Sequence, residues 1–324
     1  MLTSRGAGIV VQPDLLDVLD LSYAPELATT SCSLRQAVSP TMASPQISRI
    51  AQEFTSREAI YASLRAAFPN QRLHSSVEVS AAHTPGECSH IHRANPSRRR
   101  RLSPRTVSAH RPAHFAPETC QKYAVTSRGE VVDESQVSEE LVSFFDDRFS
   151  FCPTEDGGHA LCYFIPGRQG KTESGARVLN WVWYVNADEG PELDGLLTDT
   201  QGHRRSASVP ADLVNEEALA DLRTRTMKLE SHFGRLIQST PNPFIQAILD
   251  IAPPAMRFGQ VCLLGDAAFV IRPHTAAATA KAAADAIALA QSLRSSGGDF
   301  DRGLSHWEGQ RMAVAGTWST TAFR

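Results

Sequence analysis

The sequence predicts an α/β protein in which a strand–turn–helix layer is interrupted by an α+β segment built on a mainly antiparallel sheet. Three observations predict it. Val261–Leu264 (VCLL) is an apolar run of strand length; Gly265 and Asp266 break it, and from Thr275 an alanine-dominated stretch reads as a long helix. His159–Pro166 (HALCYFIP) and Arg177–Asn186 (RVLNWVWYVN) are dense in aromatic and β-branched residues and read as a hairpin closed by the polar loop Gly167–Gly175. Helical patterns flank these strands: Thr55–Phe68, Glu216–Leu229, Phe244–Leu249 and Phe300–Val314, the last with Leu304, Trp307 and Arg311 on one stripe.

Bulk properties exclude several functions. A chain of 324 residues can bury two cores, and a net charge of −3 argues against a nucleic-acid protein as a whole. The six cysteines (Cys32, Cys88, Cys120, Cys152, Cys162, Cys262) contain no CxxC pair, which points to reduced thiols and no metal site. No apolar run approaches the roughly 20 residues that span a bilayer, and the N-terminus lacks the apolar core of a signal peptide. The expectation is a soluble cytoplasmic protein with no membrane or nucleic-acid partner.

Along the chain, Arg5–Leu19 (RGAGIVVQPDLLDVL) gives two glycines in a loop, a strand-like triplet, then Pro13 and Asp14 opening a helix. Thr55 and Glu58 have capping-box spacing for the helix that Pro69 ends. Residues 71–80 alternate like a strand. From 84 to 120 the chain turns basic and rich in Pro, Ser and His, with too little apolar surface to fold alone. The stretch reads as the product of a shifted reading frame or retained intron, as a disordered insertion, or, through Arg98–Arg101, as a patch for nuclear or nucleic-acid targeting. Tyr163, Phe164, Trp181, Trp183 and Tyr184 have two readings: sheet core and edge, or an aromatic wall for a flat ring ligand, with Tyr163, Trp181 and Trp183 the residues chosen for the second.

The stretch richest in chemistry is Val261–Leu293. A carboxylate just past a strand tip, Asp266, suits hydroxyl binding, and Pro273 precedes a helix whose N-terminus favours an electron-rich group. Gly297 and Gly298 mark that helix's end.

GDAAFVIRPH (Gly265–His274) followed by the small-residue helix resembles the GD motif of the single-component flavin-dependent aromatic hydroxylases of the para-hydroxybenzoate hydroxylase type. Leu179–Asp199, SVP at Ser208–Pro210 and NPFIQAILD at Asn242–Asp250 are similar to the branch acting on dihydroxypyridines. The resemblance implies an incomplete Rossmann-like FAD-binding domain (1–83 and 255–324) carrying an inserted substrate-binding domain (121–254), with 84–120 atypical. It implies FAD contacts at Arg5, Gly6, Gly8, Gly265, Asp266, Pro273, His274, Thr275, Ala276, Ala277 and Ala278, although relatives often have glycine where this chain has Ala276 and Ala278. His274 is the titratable group of that loop. The implied activity uses NAD(P)H as co-substrate and O₂, through a flavin C4a-hydroperoxide, to hydroxylate a small aromatic substrate; a homodimer is compatible with it. The family's G-x-G-x-x-G turn and its DG motif are not found in these 324 residues, so the alternative reading is a catalytically inert fragment of such an enzyme.

Overall fold

The computed structural model describes residues 8–70, 105–107, 120–251, 254–259, 261–270 and 276–322. They form two compact units: those within 1–11, 25–63 and 122–248 make the larger, and those within 12–24, 64–121 and 249–324 the smaller.

The larger unit is organised by a nine-stranded sheet of order β1-β3-β2-β6-β7-β8-β5-β10-β9. Its strands are β1 (Gly8–Val10), β2 (Thr30–Ala37), β3 (Gln46–Ser56), β5 (Cys120–Asp133), β6 (Arg148–Pro153), β7 (His159–Ile165), β8 (Val178–Asn186), β9 (Ser208–Val209) and β10 (Phe244–Ile251). β2 and β6 run parallel, while β1–β3, β2–β3, β6–β7, β7–β8, β5–β8 and β9–β10 are antiparallel. The aromatic hairpin forms as expected, with Phe164 opposite Leu179 and Ile165 opposite Val178.

Alternation along β7 and β8 separates two cores. Ala160, Cys162, Phe164, Leu179, Trp181, Trp183 and Val185 share one face with Phe145, Phe233, Leu236 and Ile237, which come from the helices α3 (Glu139–Phe145) and α6 (Ser231–Ser239). The opposite face collects Cys32, Phe54, Tyr163, Ile165 and Val178. Polar caps set the helix starts: Ser138 opens α3, Asn215 opens α5 (Glu216–Arg225), and the Glu230 carboxylate accepts from His232 N at 2.9 Å to open α6. A short helix, α4 (Pro191–Leu196), lies between α3 and α5 in the chain.

Two expectations are corrected. Thr55 is not a helix cap: it lies in β3, fully buried, with its hydroxyl donating to Ala28 O at 2.8 Å. Helix α2 (Arg57–Ala67) is opened instead by Ser56, whose Oγ accepts from Ala59 N at 3.0 Å. Phe244–Leu249 is strand rather than helix. A short apolar run is ambiguous by periodicity alone, and here β9 supplies backbone partners, pairing Ile245 with Val209. The strand expected at 71–80 and the Arg98–Arg101 patch lie outside the described residues.

In the smaller unit a three-stranded sheet, β11 (Arg257–Phe258), β12 (Val261–Leu263) and β4 (Arg105–Val107), has β12 parallel to β4. The helices are α1 (Pro13–Leu21), α7 (Ala278–Ser295) and α8 (Phe300–Ala322). Leu263, Ala268, Leu289, Leu304 and Trp307 form its core. Gly297 and Gly298 adopt positive φ just past α7, as the sequence suggested. Among the described residues no helix is long and apolar enough to cross a membrane.

The hairpin loop of the larger unit hangs on Glu134. Its carboxylate accepts from Gly175 N at 2.8 Å and from Arg177 Nε at 3.0 Å and Nη2 at 2.6 Å. Burial alone would push this carboxyl up; the Arg177 and backbone hydrogen bonds outweigh it and hold it below the ordinary range. A depressed folded-state value adds stability above the unfolded pKa of about 4.3 and loses it as pH falls through the folded value. Glu134→Gln therefore costs about 3 kcal/mol at neutral pH and flattens the acid limb of stability, measured by urea unfolding between about pH 3 and pH 7.

Candidate cofactor site

β12 is wholly buried, and at its C-terminal end Leu264 leads into a single 3₁₀ turn, Gly265–Ala267. Gly265 takes φ +59, a conformation that glycine reaches without steric cost. The turn leaves Asp266 exposed at the tip of a parallel strand, the end of an α/β sheet where ligands bind. Ala268 N and Phe269 N both donate back to Gly265 O, at 3.0 and 3.3 Å.

α7 starts at Ala278, later than the Thr275 start expected from alanine content, because Ala276 adopts φ +55 and stops the helix from extending backward. That left-handed geometry is the one glycine adopts without a Cβ clash, and here an alanine holds it. The N-cap, Ala277, gives the first turn no side-chain cap.

Beneath the turn lies an ionic cluster that sequence reading missed. Asp285 has no exposed side-chain surface; its Oδ1 accepts from Arg311 Nε at 2.6 Å and its Oδ2 from Gly265 N at 3.1 Å. Trp307 Nε1 donates to its backbone carbonyl at 3.1 Å. Lys281, only 3% exposed at the side chain, sits 3.3 Å from Asp285 Oδ2. Its ammonium donates to Gly265 O and, at 2.8 Å, to Phe269 O, and lies 3.7 Å from the Phe269 ring centroid. Burial pushes the Lys281 amine down, an effect that Asp285 and Asp266 only partly offset. The available signal was a Lys and an Asp at i and i+4 within an otherwise alanine-rich helix.

The other expected site residues divide between the two units. Arg5, Gly6, Pro273, His274 and Thr275 lie outside the described residues. Gly265, Asp266, Ala276, Ala277 and Ala278 all belong to the smaller unit. Gly8 is in β1 of the larger unit, where its N–H donates to Asn180 Oδ1 at 3.2 Å. A Cβ at Gly8 would fall 2.5 Å from Asn180 Nδ2 and 2.6 Å from the Tyr163 hydroxyl, so any larger residue would force these two side chains to move. Tyr163 therefore shares a face with Gly8 and Asn180, stacked on Phe54 at 4.5 Å between centroids. Trp181 and Trp183 need correcting as a ligand wall. They point to the helix-covered face at 1% and 2% exposure, with Trp181 Nε1 bonded to Thr240 Oγ1 at 3.1 Å. One-residue alternation along a strand puts them on the side away from Tyr163.

Two substitutions test this geometry. Ala276→Gly removes the Cβ clash of a left-handed alanine and raises stability by about 1 kcal/mol, seen as a higher melting temperature. Asp285→Asn leaves Lys281 and Arg311 without their buried counter-charge and costs about 3–5 kcal/mol in denaturant unfolding.

Comparison with known proteins bears on the same regions. A family model described as FAD binding domain-like matches residues 122–250. Over 318 residues the chain is 30% identical to 2,6-dihydroxypyridine 3-monooxygenase of Paenarthrobacter nicotinovorans, covering 96% of this chain and 78% of that protein. The solved structure of 2,6-dihydroxypyridine-3-hydroxylase from Arthrobacter nicotinovorans superposes with a TM-score of 0.87 at 27% identity, over 98% of this chain and 81% of that one. Klebsiella pneumoniae HpxO, solved with FAD and uric acid, shares the fold at a TM-score of 0.65 and 14% identity, over 98% and 78% of the two chains. By its identity to the dihydroxypyridine enzyme across nearly its whole length, the chain belongs to the FAD-dependent aromatic-ring monooxygenases.

Proposed function

We propose that this chain binds FAD and, with NAD(P)H and O₂ as co-substrates, hydroxylates a small electron-rich aromatic or pyridine ring of the dihydroxypyridine class. The observation that carries the reading is the turn at Gly265–Ala267, which offers an exposed carboxylate at a parallel strand tip in the same unit as the start of α7. These are the groups a flavin nucleotide's polyol and electron-rich ring edge require, so the residues present fit the cofactor. Bound flavin supplies the reduction of O₂ and the transfer of one oxygen atom to the ring.

The chain's own part is binding and orientation. Asp266 accepts hydroxyl hydrogen bonds, and the first-turn amides of α7 favour negative charge. In the larger unit, Tyr163 and Tyr184 are candidates to meet the polar substituents of a ring substrate, with Asn180 beside Tyr163. Burial pushes both phenols well up, so they stay neutral hydrogen-bond donors at pH 7. Next to Tyr184, the His159 ring lies at 4.9 Å between centroids.

A second reading, a member of the family that does not turn over, is kept as an outcome of the test. One preparation separates the two. The purified chain is expected to show flavin absorbance and NADPH oxidation that rises with a dihydroxypyridine, and Asp266→Ala to weaken FAD binding at least about tenfold. A folded, colourless and inactive protein would establish the second reading.

A further inference from the structure

The cluster beneath the turn contains a group whose placement runs against ordinary economy. Lys281 is the fourth residue of α7, where a cation opposes the positive end of the helix dipole, and it is almost wholly buried. An apolar side chain of similar length would avoid both costs. Its three hydrogen atoms find partners at the two ends of one short segment, Gly265 O and Phe269 O, and at Asp285. That segment carries Asp266. Among the described residues, two cations, Lys281 and Arg311, meet one buried carboxylate, Asp285, and Asp266, on the turn, is a further carboxylate acting on Lys281.

We propose that Lys281 is a positioning residue for the cofactor site: its ammonium ties the Gly265 and Phe269 carbonyls together and so holds the turn in the one conformation that presents Asp266 to a polyol ligand. The ligand part of this proposal rests on the FAD reading above; the holding of the turn does not. An apolar side chain at 281 would take the ammonium from both carbonyls, leaving Gly265 O only the amides of Ala268 and Phe269, and the turn would loosen although the strand and helix on either side remain. The groups facing Lys281 are Asp285 on its own helix, Asp266 on the turn and Arg311 from α8. Arg311 stays cationic at every accessible pH, so discharge of Lys281 at alkaline pH removes the tie but not the rest of the cluster.

The experiment uses the full chain in four forms: unaltered, Lys281→Met, Lys281→Arg and Asp266→Ala. Without flavin, the amides of Ala268 and Phe269, which donate to Gly265 O, are expected to exchange with deuterium at least about tenfold faster in Lys281→Met, while those of β7 and β8 are unchanged. With FAD, fluorescence titration is expected to show binding weakened about tenfold in Lys281→Met. In the unaltered chain it should weaken as pH rises through the alkaline range, and that alkaline loss should vanish in Lys281→Arg, which keeps its charge. Unchanged exchange at Ala268 and Phe269 in Lys281→Met overturns the proposal; if that variant does not fold, an alkaline loss that persists in Lys281→Arg overturns it. Asp266→Ala binding FAD as tightly as the unaltered chain, or no binding by either, defeats the FAD reading instead, and the exchange measurement still decides the role of Lys281.

Discussion

The carboxylate of Asp285 organises the smaller unit. It has no contact with solvent, so folding must supply every partner that water would otherwise provide, and those partners come from three directions: Lys281 on its own helix, Arg311 from α8 and the backbone N–H of Gly265 from the turn. One buried charge thus ties α8, α7 and the end of β12 together. The Trp307 indole, bonded to the backbone carbonyl of the same residue, adds a second tie between α8 and α7. The exposed residue of chemical interest, Asp266, gets its position from atoms that never meet solvent.

The larger unit solves a different problem. A sheet rich in aromatics has to bury both faces, and it does so unequally. One face closes under α3 and α6 with Trp181 and Trp183 as its bulk, whereas the other gathers Tyr163, Phe54 and Phe149 around the close approach of Gly8 to Asn180. The two tryptophans contribute stability through burial, and the phenols on the opposite face keep hydroxyl groups with chemistry to offer. Strand alternation puts the tryptophans and the phenols on opposite faces, and the packing of α3 and α6 decides which face is closed.

Much of the architecture was legible because its signals are local. Aromatic and β-branched density marked β7 and β8, proline and glycine marked the ends of α1 and α7, and GDAAFVIRPH marked the turn before the helix. Thr55 misled because capping spacing is a pattern of residue types, and burial in β3 gave its hydroxyl a different partner, Ala28 O. Phe244–Leu249 misled because a short apolar run satisfies helix and strand periodicity alike until a neighbouring strand claims its backbone.

The sequence by itself determined the strands β7, β8 and β12, the helices α1, α2, α5, α7 and α8, the family, and the residue types at the turn, since these depend on spacing along one chain. Only the tertiary structure decided which side of the sheet each aromatic faces and that Ala276 adopts a glycine-like backbone. Only it, too, showed Lys281, Asp285 and Arg311 closing into one buried cluster under Asp266. Those outcomes depend on which distant groups compete for the same buried space, and a buried charge settles on whichever partners the fold brings within hydrogen-bond reach.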